Sequence, residues 1–161
     1  MTARKQVLIR RLRPETFARD ADETASLYIA SRQAMLPGLR EPHTEAETRE
    51  WMRETVFTHY AVRIAEVDGE IVGFAARDGS WLMQLYVKPG WTGMRVGTHL
   101  LREMLADAAR STPVLRLYTF ARNEGARRFY ERHGFVAVGF GDGSGNAEHE
   151  PDVRYERSIR D

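Results

Sequence analysis

Residues 85–98 read LYVKPGWTGMRVGT, and the pattern changes twice along them. A strand pattern stops at residues 88–90, a loop with glycine follows, and an amphipathic helix starts at Val96. A loop of this kind presents free backbone N–H groups and the positive end of the helix dipole, which suits a phosphate or pyrophosphate group. An ordinary turn with a helix cap explains the same residues. A Walker loop and a dinucleotide fingerprint are excluded, because no Gly-Lys-Ser/Thr follows and Gly93 and Gly97 have the wrong spacing.

A second stretch, residues 123–135, reads NEGARRFYERHGF and follows another predicted strand. Together the two stretches resemble the GNAT family, the GCN5-related N-acetyltransferases. The pyrophosphate loop of that family reads Gln/Arg-x-x-Gly-x-Gly/Ala, and its next helix reads Asn-x-x-Ala-x-x-x-Tyr and commonly ends in Gly-Phe. The resemblance covers most of the chain and is carried by matches in the strand, the loop and the helix: Val87, Pro89, Gly93, Gly97, Asn123, Ala126, Tyr130, Gly134 and Phe135.

Two loop residues depart from the family pattern. Thr92 stands where the family has Gln or Arg, and Arg95 stands where the family has the first motif glycine. Thr92 keeps a backbone N–H and a hydroxyl, and Arg95 adds a cation that can pair with a phosphate. We expect helical backbone angles at Arg95, which need no glycine.

Apolar periodicity and turn signals predict the element order β-α-α-β-β-β-α-β-α-β-β. A meander followed by a β-loop-α-β unit predicts an α/β (α+β) fold with a mixed sheet and helices on both faces. The resemblance implies a mostly antiparallel sheet of about seven strands with four helices, splayed apart between strands four and five. The predicted strands are residues 7–13, 60–66, 70–77, 80–87, 114–119, 135–140 and 153–159, and the predicted helices are 14–33, 44–58, 96–110 and 123–134.

Composition predicts a single domain, residues 1–161, that binds neither nucleic acid nor membrane. Lys and Arg number 24 against 23 Asp and Glu, so the net charge is +1, whereas nucleic-acid-binding proteins usually have a basic excess. The chain has no cysteine, which excludes disulfides and cysteine nucleophiles, and its five histidines show no metal spacing. It has no apolar run near about 20 residues and no signal-peptide pattern, so a cytoplasmic location is expected.

The resemblance implies that acetyl-CoA is the co-substrate and that no metal takes part. The pyrophosphate would lie on the backbone N–H groups of the loop, and the pantetheine arm would pair with residues 85–87 like an added strand. A backbone N–H near Val87 would face the thioester oxygen. Asn123 would bind the pantetheine, although a helix N-cap explains the same residue. The expected cofactor-binding residues are Leu85, Tyr86, Val87, Thr92, Gly93, Met94, Arg95, Val96, Gly97, Thr98, Asn123, Ala126 and Tyr130.

Tyr130 is the expected catalytic acid. It follows Asn123 by seven residues, so about two helical turns place both side chains on one face. A phenol with a pKa near 10 can give its proton to a departing thiolate, although a core tyrosine also explains the pattern. The sequence does not identify the general base. The candidates are Glu66, Asp78, His43 and Glu148, each of which also fits a solvated surface group, and a chain of waters is an alternative.

The sequence thus predicts an N-acetyltransferase that moves an acetyl group to a primary amine of a small molecule by direct transfer in a ternary complex. The acceptor would lie between residues 35–43, the strand face of Trp81 and Met83, and residues 141–151. Carboxylates of the last segment and Asp152 would favour a cationic amine, unless they only keep a hairpin soluble. The alternatives are a non-catalytic acyl-CoA-binding module and a protein or peptide N-acetyltransferase. Homodimers are common in families of this kind, so a homodimer is compatible with the resemblance.

Overall fold

The computed structural model describes residues 5–159, and the strands of this part of the chain form one sheet. The strands are β1 Leu8–Arg10, β2 Ala61–Val67, β3 Glu70–Asp78, β4 Trp81–Val87, β5 Val114–Phe120, β6 Val136–Gly141 and β7 Asp152–Ser158. They pair in the order β1-β2-β3-β4-β5-β7-β6. The β4–β5 pair is parallel and the other pairs are antiparallel. The predicted mixed sheet of about seven strands is therefore confirmed.

Four helical segments accompany the sheet in residues 5–159. The second segment begins at a capping box, in which the Thr44 hydroxyl accepts from the Glu47 N–H and the Glu47 carboxylate accepts from the Thr44 N–H. This segment passes through a π-helical turn, which the sequence did not predict. The helices are α1 Phe17–Met35, α2 Glu45–Trp51 with the π turn Met52–Val56 and α3 Phe57–His59, then α4 Val96–Ala108 and α5 Glu124–Arg132.

Buried apolar clusters lie on both faces of the sheet. On one face α4 buries a stripe that includes Leu100 and Met104 against β2, β3 and β5. On the other face α1 and the segment from α2 to α3 pack Ala25, Met52 and Val56 onto β2 and β3. Burial of these faces supplies the main favourable free energy of folding. None of the helices described is long and apolar enough to cross a membrane.

The sheet splits between β4 and β5 into an N-terminal arm and a C-terminal arm. Within residues 5–159 the two strands share a single partner pair, Trp81 with Arg116. Beside it the Arg116 N–H donates to the Ser80 carbonyl at 2.7 Å, and the Trp81 and Tyr118 rings stack 5.2 Å apart. Beyond this junction β4 has no strand on its β5 side, so the expected splay is confirmed.

Two local predictions need correction, and one turn is confirmed. The first strand covers only Leu8–Arg10, and the first helix starts at Phe17 because Pro14 begins a separate 3₁₀ turn. Asp68 and Gly69 both have positive φ, as a two-residue hairpin turn of this sequence requires.

Candidate active site

A cleft of about 1160 Å³ lies where the arms separate. Residues 82–86 of β4 and 117–120 of β5 line it from opposite sides. The predicted acceptor segments, residues 35–43 and 141–151, both contribute to its walls. Met83 also lines the cleft, whereas Trp81 stacks on Tyr118 at the junction of the arms. The cleft is thus bordered by most of the elements expected to surround an acceptor.

The free edge of β4 provides main-chain groups for an extended ligand. The Lys88 N–H donates to the Val72 carbonyl at 2.8 Å, so the backbone groups of Lys88 point toward β3. Because backbone groups alternate in direction along a strand, those of Val87 and Leu85 point toward the open side. A bulge in the β3–β4 pairing leaves Met83 without a direct partner on β3, and Met83 lines the cleft.

The glycine-containing loop ends in a left-handed residue, which corrects the expectation for Arg95. Residues 92–95 form turns, and Gly93 has φ +85°. Arg95 has φ 62° and ψ 18°, not helical angles, and α4 begins immediately after it. The left-handed region favours glycine because a Cβ crowds the backbone there. The family's glycine at this position therefore has a conformational reason, and Arg95 is strained.

We predict that Arg95→Gly is more stable than Arg95→Ala by about 1 kcal/mol. Both substitutions remove the guanidinium, but only glycine removes the left-handed strain. Urea unfolding of the two variants measures the difference. Equal stabilities would show that the left-handed conformation of Arg95 costs nothing.

Close packing brings the start of α4 against α5 and β4. A Cβ on Gly97 would lie 3.4 Å from the Phe129 ring and 3.7 Å from a Val87 methyl. These are ordinary van der Waals distances, so the first turn of α4 lies against the Phe129 ring and the end of β4. Asn123 caps α5 through its Oδ1, which accepts from the Ala126 N–H at 3.1 Å. The N-cap interpretation of Asn123 is confirmed.

Tyr130 combines a packed ring with an unpartnered hydroxyl. Its side chain is 8% exposed, contacts the rings of Phe129 and Phe135, and lines the cleft. Among the hydrogen bonds of residues 5–159, none uses the Tyr130 hydroxyl. Burial, with the neighbouring Tyr86 phenol, raises the pKa of Tyr130 above its ordinary value. The hydroxyl therefore stays protonated at neutral pH and can donate to a ligand in the cleft.

The predicted cofactor-binding residues divide into two groups. The cleft is lined by Leu85, Tyr86, Asn123, Ala126 and Tyr130. Val87, the last residue of β4, belongs with the loop residues from Thr92 to Thr98, which precede or form the first turn of α4. Both groups border the free edge of one strand, which is the arrangement that a long ligand with a phosphate end needs.

Sequence comparison decides the family. The model of the acetyltransferase (GNAT) family matches residues 24–135. The chain belongs to the GNAT family. Its domain is accordingly an acetyltransferase domain.

Relatives with curated descriptions agree with this assignment. An uncharacterized N-acetyltransferase of Mycobacterium tuberculosis is 31% identical over 157 residues, and the match covers 87% of the chain and 98% of the relative. A spore coat polysaccharide biosynthesis protein of Bacillus subtilis is 31% identical over 116 residues, which cover 68% of the chain. The chain spans only between 37% and 55% of the length of this protein and of two N-acetyltransferases from archaea.

Solved structures share the fold. An N-acetyltransferase from Staphylococcus aureus superposes with a TM-score of 0.73 at 19% identity, covering 96% of the chain and 99% of its own. The PaiA N-acetyltransferase from Thermoplasma acidophilum, solved in complex with coenzyme A, has a TM-score of 0.69 at 21% identity. The coverage is 95% of the chain and 99% of that structure.

Arg32 is a cleft residue of this GNAT domain that the sequence did not reveal. It lies on α1, is 4% exposed, and donates to Glu41 at 2.9 Å, to the Tyr86 hydroxyl at 3.2 Å and to Glu148 at 2.8 Å. Its guanidinium also lies 5.0 Å from the centroid of the Tyr28 ring. Since Glu148 belongs to the C-terminal arm, Arg32 joins the two arms across the cleft. The only sequence signal is the helical spacing of Tyr28 and Arg32 on one face.

The fold of the GNAT domain places two of the four candidate bases in the lining of the cleft and two outside it. His43 and Glu148 line the cleft. Within residues 5–159, neither Glu66 nor Asp78 lines the cleft. Glu66 lies on β2 and accepts a hydrogen bond from Arg10 at 2.9 Å, and Asp78 is the last residue of β3. The cleft geometry thus reduces the candidates to His43, Glu148 and a chain of waters.

Proposed function

We propose that this GNAT domain transfers the acetyl group of acetyl-CoA to a primary amine of a small molecule by direct transfer in a ternary complex. The observation that carries the proposal is the unpartnered Tyr130 hydroxyl in a cleft that borders the free edge of β4. The N-terminus of α4 lies at the end of the same strand. A solved GNAT structure that shares the fold holds coenzyme A, which supports the same assignment.

The residues present fit the parts of acetyl-CoA. The loop from Thr92 to Arg95 and the first turn of α4 would hold the pyrophosphate through backbone N–H groups and the helix dipole. The free backbone groups of Leu85 and Val87 would bind the pantetheine amides. Asn123 uses its Oδ1 to cap α5, which leaves its amide N–H groups for a ligand carbonyl.

In the reaction, the amine nitrogen forms a bond to the thioester carbonyl carbon and the carbon–sulfur bond breaks. The Val87 N–H would stabilise the charge that develops on the carbonyl oxygen. Tyr130 would give its proton to the departing thiolate sulfur. The ammonium proton of the acceptor would leave to Glu148, to His43 or through water. A second proton, which the nitrogen loses as the amide forms, would restore the Tyr130 hydroxyl. The ammonium and the thioester then give the amide, the free thiol of coenzyme A and one proton that passes to solvent.

Acetyl-CoA is expected to stabilise the protein against heat, because it binds the folded state. At 100 times its dissociation constant, a ligand adds about 2.7 kcal/mol, which corresponds to a rise of roughly 5–10 °C for a domain of this size. Adenosine, which lacks pyrophosphate and pantetheine, serves as the control and should have far less effect. An unchanged melting temperature with saturating acetyl-CoA would contradict the proposal.

Turnover separates the proposed enzyme from its alternatives. Release of the free thiol is followed with acetyl-CoA and a panel of small amines, amino acids, aminoglycosides and peptides. Stabilisation by acetyl-CoA without turnover of any acceptor would indicate a non-catalytic acyl-CoA-binding module. Turnover restricted to peptides would indicate a peptide N-acetyltransferase.

A further inference from the structure

The walls of the cleft are acidic, although the whole chain has a net charge of only +1. Among the residues described, the lining contains more carboxylates than guanidinium groups. The carboxylates are Glu41, Glu47, Glu50, Glu54, Asp142, Glu148 and Asp152, and the guanidinium groups are Arg32 and Arg154. Carboxylates in a cleft raise the local concentration of cations. The charge of this surface therefore favours an acceptor with positive charge.

Internal pairing leaves part of this negative charge uncompensated. Arg32 binds both Glu41 and Glu148, so one cation serves two carboxylates. The Glu148 side chain is 18% exposed, and solvent therefore screens it only partly. Glu50 forms no ion pair within residues 5–159. An ammonium group would complete the charge balance at either place.

Three glutamates form a row along the acidic wall of the cleft. Glu47, Glu50 and Glu54 follow one another on the cleft side of the helical segment, at spacings of three and four residues. Seven residues of helix span about 10 Å. Glu47 also closes the capping box, and Glu54 lies 3.4 Å from the exposed Arg53, so Glu50 is the uncommitted carboxylate of the row. All three glutamates are exposed, so the row is a solvated acidic stretch of the cleft wall.

Aromatic rings lie along the same wall. Trp51 on α2 contacts Tyr28 with ring centroids 5.3 Å apart, and Tyr28 contacts Tyr86 at 5.0 Å. These rings also line the cleft. They offer apolar surface to methylene groups and π-faces to ammonium groups. A chain of methylenes that carries several ammonium groups matches both properties of the wall.

We propose that the acceptor is a linear aliphatic polyamine, an inference that rests on the proposed acetyltransferase function. One primary amine reacts beside Tyr130, while a second ammonium of the same chain binds Glu50. The Tyr130 residue is more than nine-tenths buried, and its hydroxyl has no hydrogen-bond partner among residues 5–159; this group in the lining marks the cleft as one that receives a ligand. Glu50 is then a specificity-determining residue that contacts the acceptor at a distance from the reacting amine.

The test compares spermidine, 1,4-diaminobutane and n-butylamine as acceptors with the full-length protein. We expect kcat/KM for n-butylamine to be at least tenfold lower than that for spermidine. Rising salt should lower kcat/KM for spermidine and narrow this difference, because exposed charges are screened. Glu50→Gln should raise the KM for spermidine about fivefold and the KM for n-butylamine much less, because n-butylamine has no second ammonium group. The KM for acetyl-CoA should stay near its wild-type value. Glu103→Gln, at an exposed position on α4 outside the cleft, is the matched control and should behave like the wild-type protein.

A binding measurement keeps the inference testable without turnover. Spermidine should raise the melting temperature of the protein saturated with coenzyme A, and Glu50→Gln should reduce this shift. Equal kcat/KM for spermidine and n-butylamine, a preference for a lysine peptide or for amino acids, or a Glu50→Gln variant identical to the wild type would overturn the polyamine inference. Each of these results leaves acetyl transfer from acetyl-CoA intact, although a preference for a lysine peptide would replace the small-molecule acceptor of the proposed function. Acetyl transfer itself fails only if acetyl-CoA neither binds nor reacts.

Discussion

Tyr130→Phe is expected to lower kcat by roughly 10²–10⁴-fold, the usual contribution of general acid catalysis. The substitution removes only the hydroxyl, which lacks a hydrogen-bond partner among the residues described. The ring contacts with Phe129 and Phe135 remain, so the melting temperature and the KM for acetyl-CoA should stay near their wild-type values. Single-turnover release of the free thiol measures the chemical step directly.

The pH dependence supplies a second readout for Tyr130. Burial raises the pKa of this phenol above its ordinary value near 10, so the hydroxyl does not titrate between pH 6 and about 9. Rate profiles of the wild type and the Phe variant should therefore have the same shape in that range and differ only in height. Tyr60→Phe, at the residue that joins α3 to β2 and outside the cleft lining, is the control and should be fully active. Unchanged turnover in Tyr130→Phe would assign Tyr130 to the core alone.

Local signals predicted much of the fold. The Asp68-Gly69 turn, the capping box at Thr44 and the helix cap at Asn123 each depend on residues at most three apart, and all three are present. The mostly antiparallel sheet and the splay came from the family resemblance, and the order of the strands was not predicted, because strand neighbours distant in sequence leave no local signal. The π-helical turn from Met52 to Val56 was not predictable, since its residues also fit an ordinary helix.

The candidate site was predictable where a motif carries it and not where tertiary contacts do. Asn123 and Tyr130 follow from their spacing on one helix. Arg32 does not, because its partners Tyr86 and Glu148 are 54 and 116 residues away. The left-handed angle of Arg95 was also missed, since arginine rarely adopts it and only the position of the family's glycine hints at it.

The ion pairs in the structure also change the interpretation of the acidic segment 141–151. Glu148 is paired with Arg32 and Glu150 with Arg122, so these two carboxylates are not free to attract an amine independently. The Asp142 carboxylate accepts from the Ser144 N–H at 2.9 Å. The negative charge available to an acceptor comes instead from α2 and from the imbalance around Arg32.

Arg32→Met is expected to reduce the free energy of unfolding by about 3 kcal/mol, because removing one partner of a buried ion pair leaves the other uncompensated. The substitution leaves the Glu148 carboxylate, which is 18% exposed, without the Arg32 guanidinium. It also removes the hydrogen bond that Arg32 donates to the Tyr86 hydroxyl. It also removes a link between the two arms of the sheet. Urea unfolding measures the loss of stability.

Arg49→Met is the matched control for this prediction. Arg49 also binds two carboxylates, Asp22 and Glu45, but their side chains are 67% and 66% exposed. Water can solvate these partners after the substitution, so the loss should stay within about 1 kcal/mol. The triple variant Arg32→Met, Glu41→Gln, Glu148→Gln should recover a large part of the stability, because it removes the stranded charges as well. If Arg32→Met and Arg49→Met cost the same, the cation that joins the arms contributes no more than a surface pair.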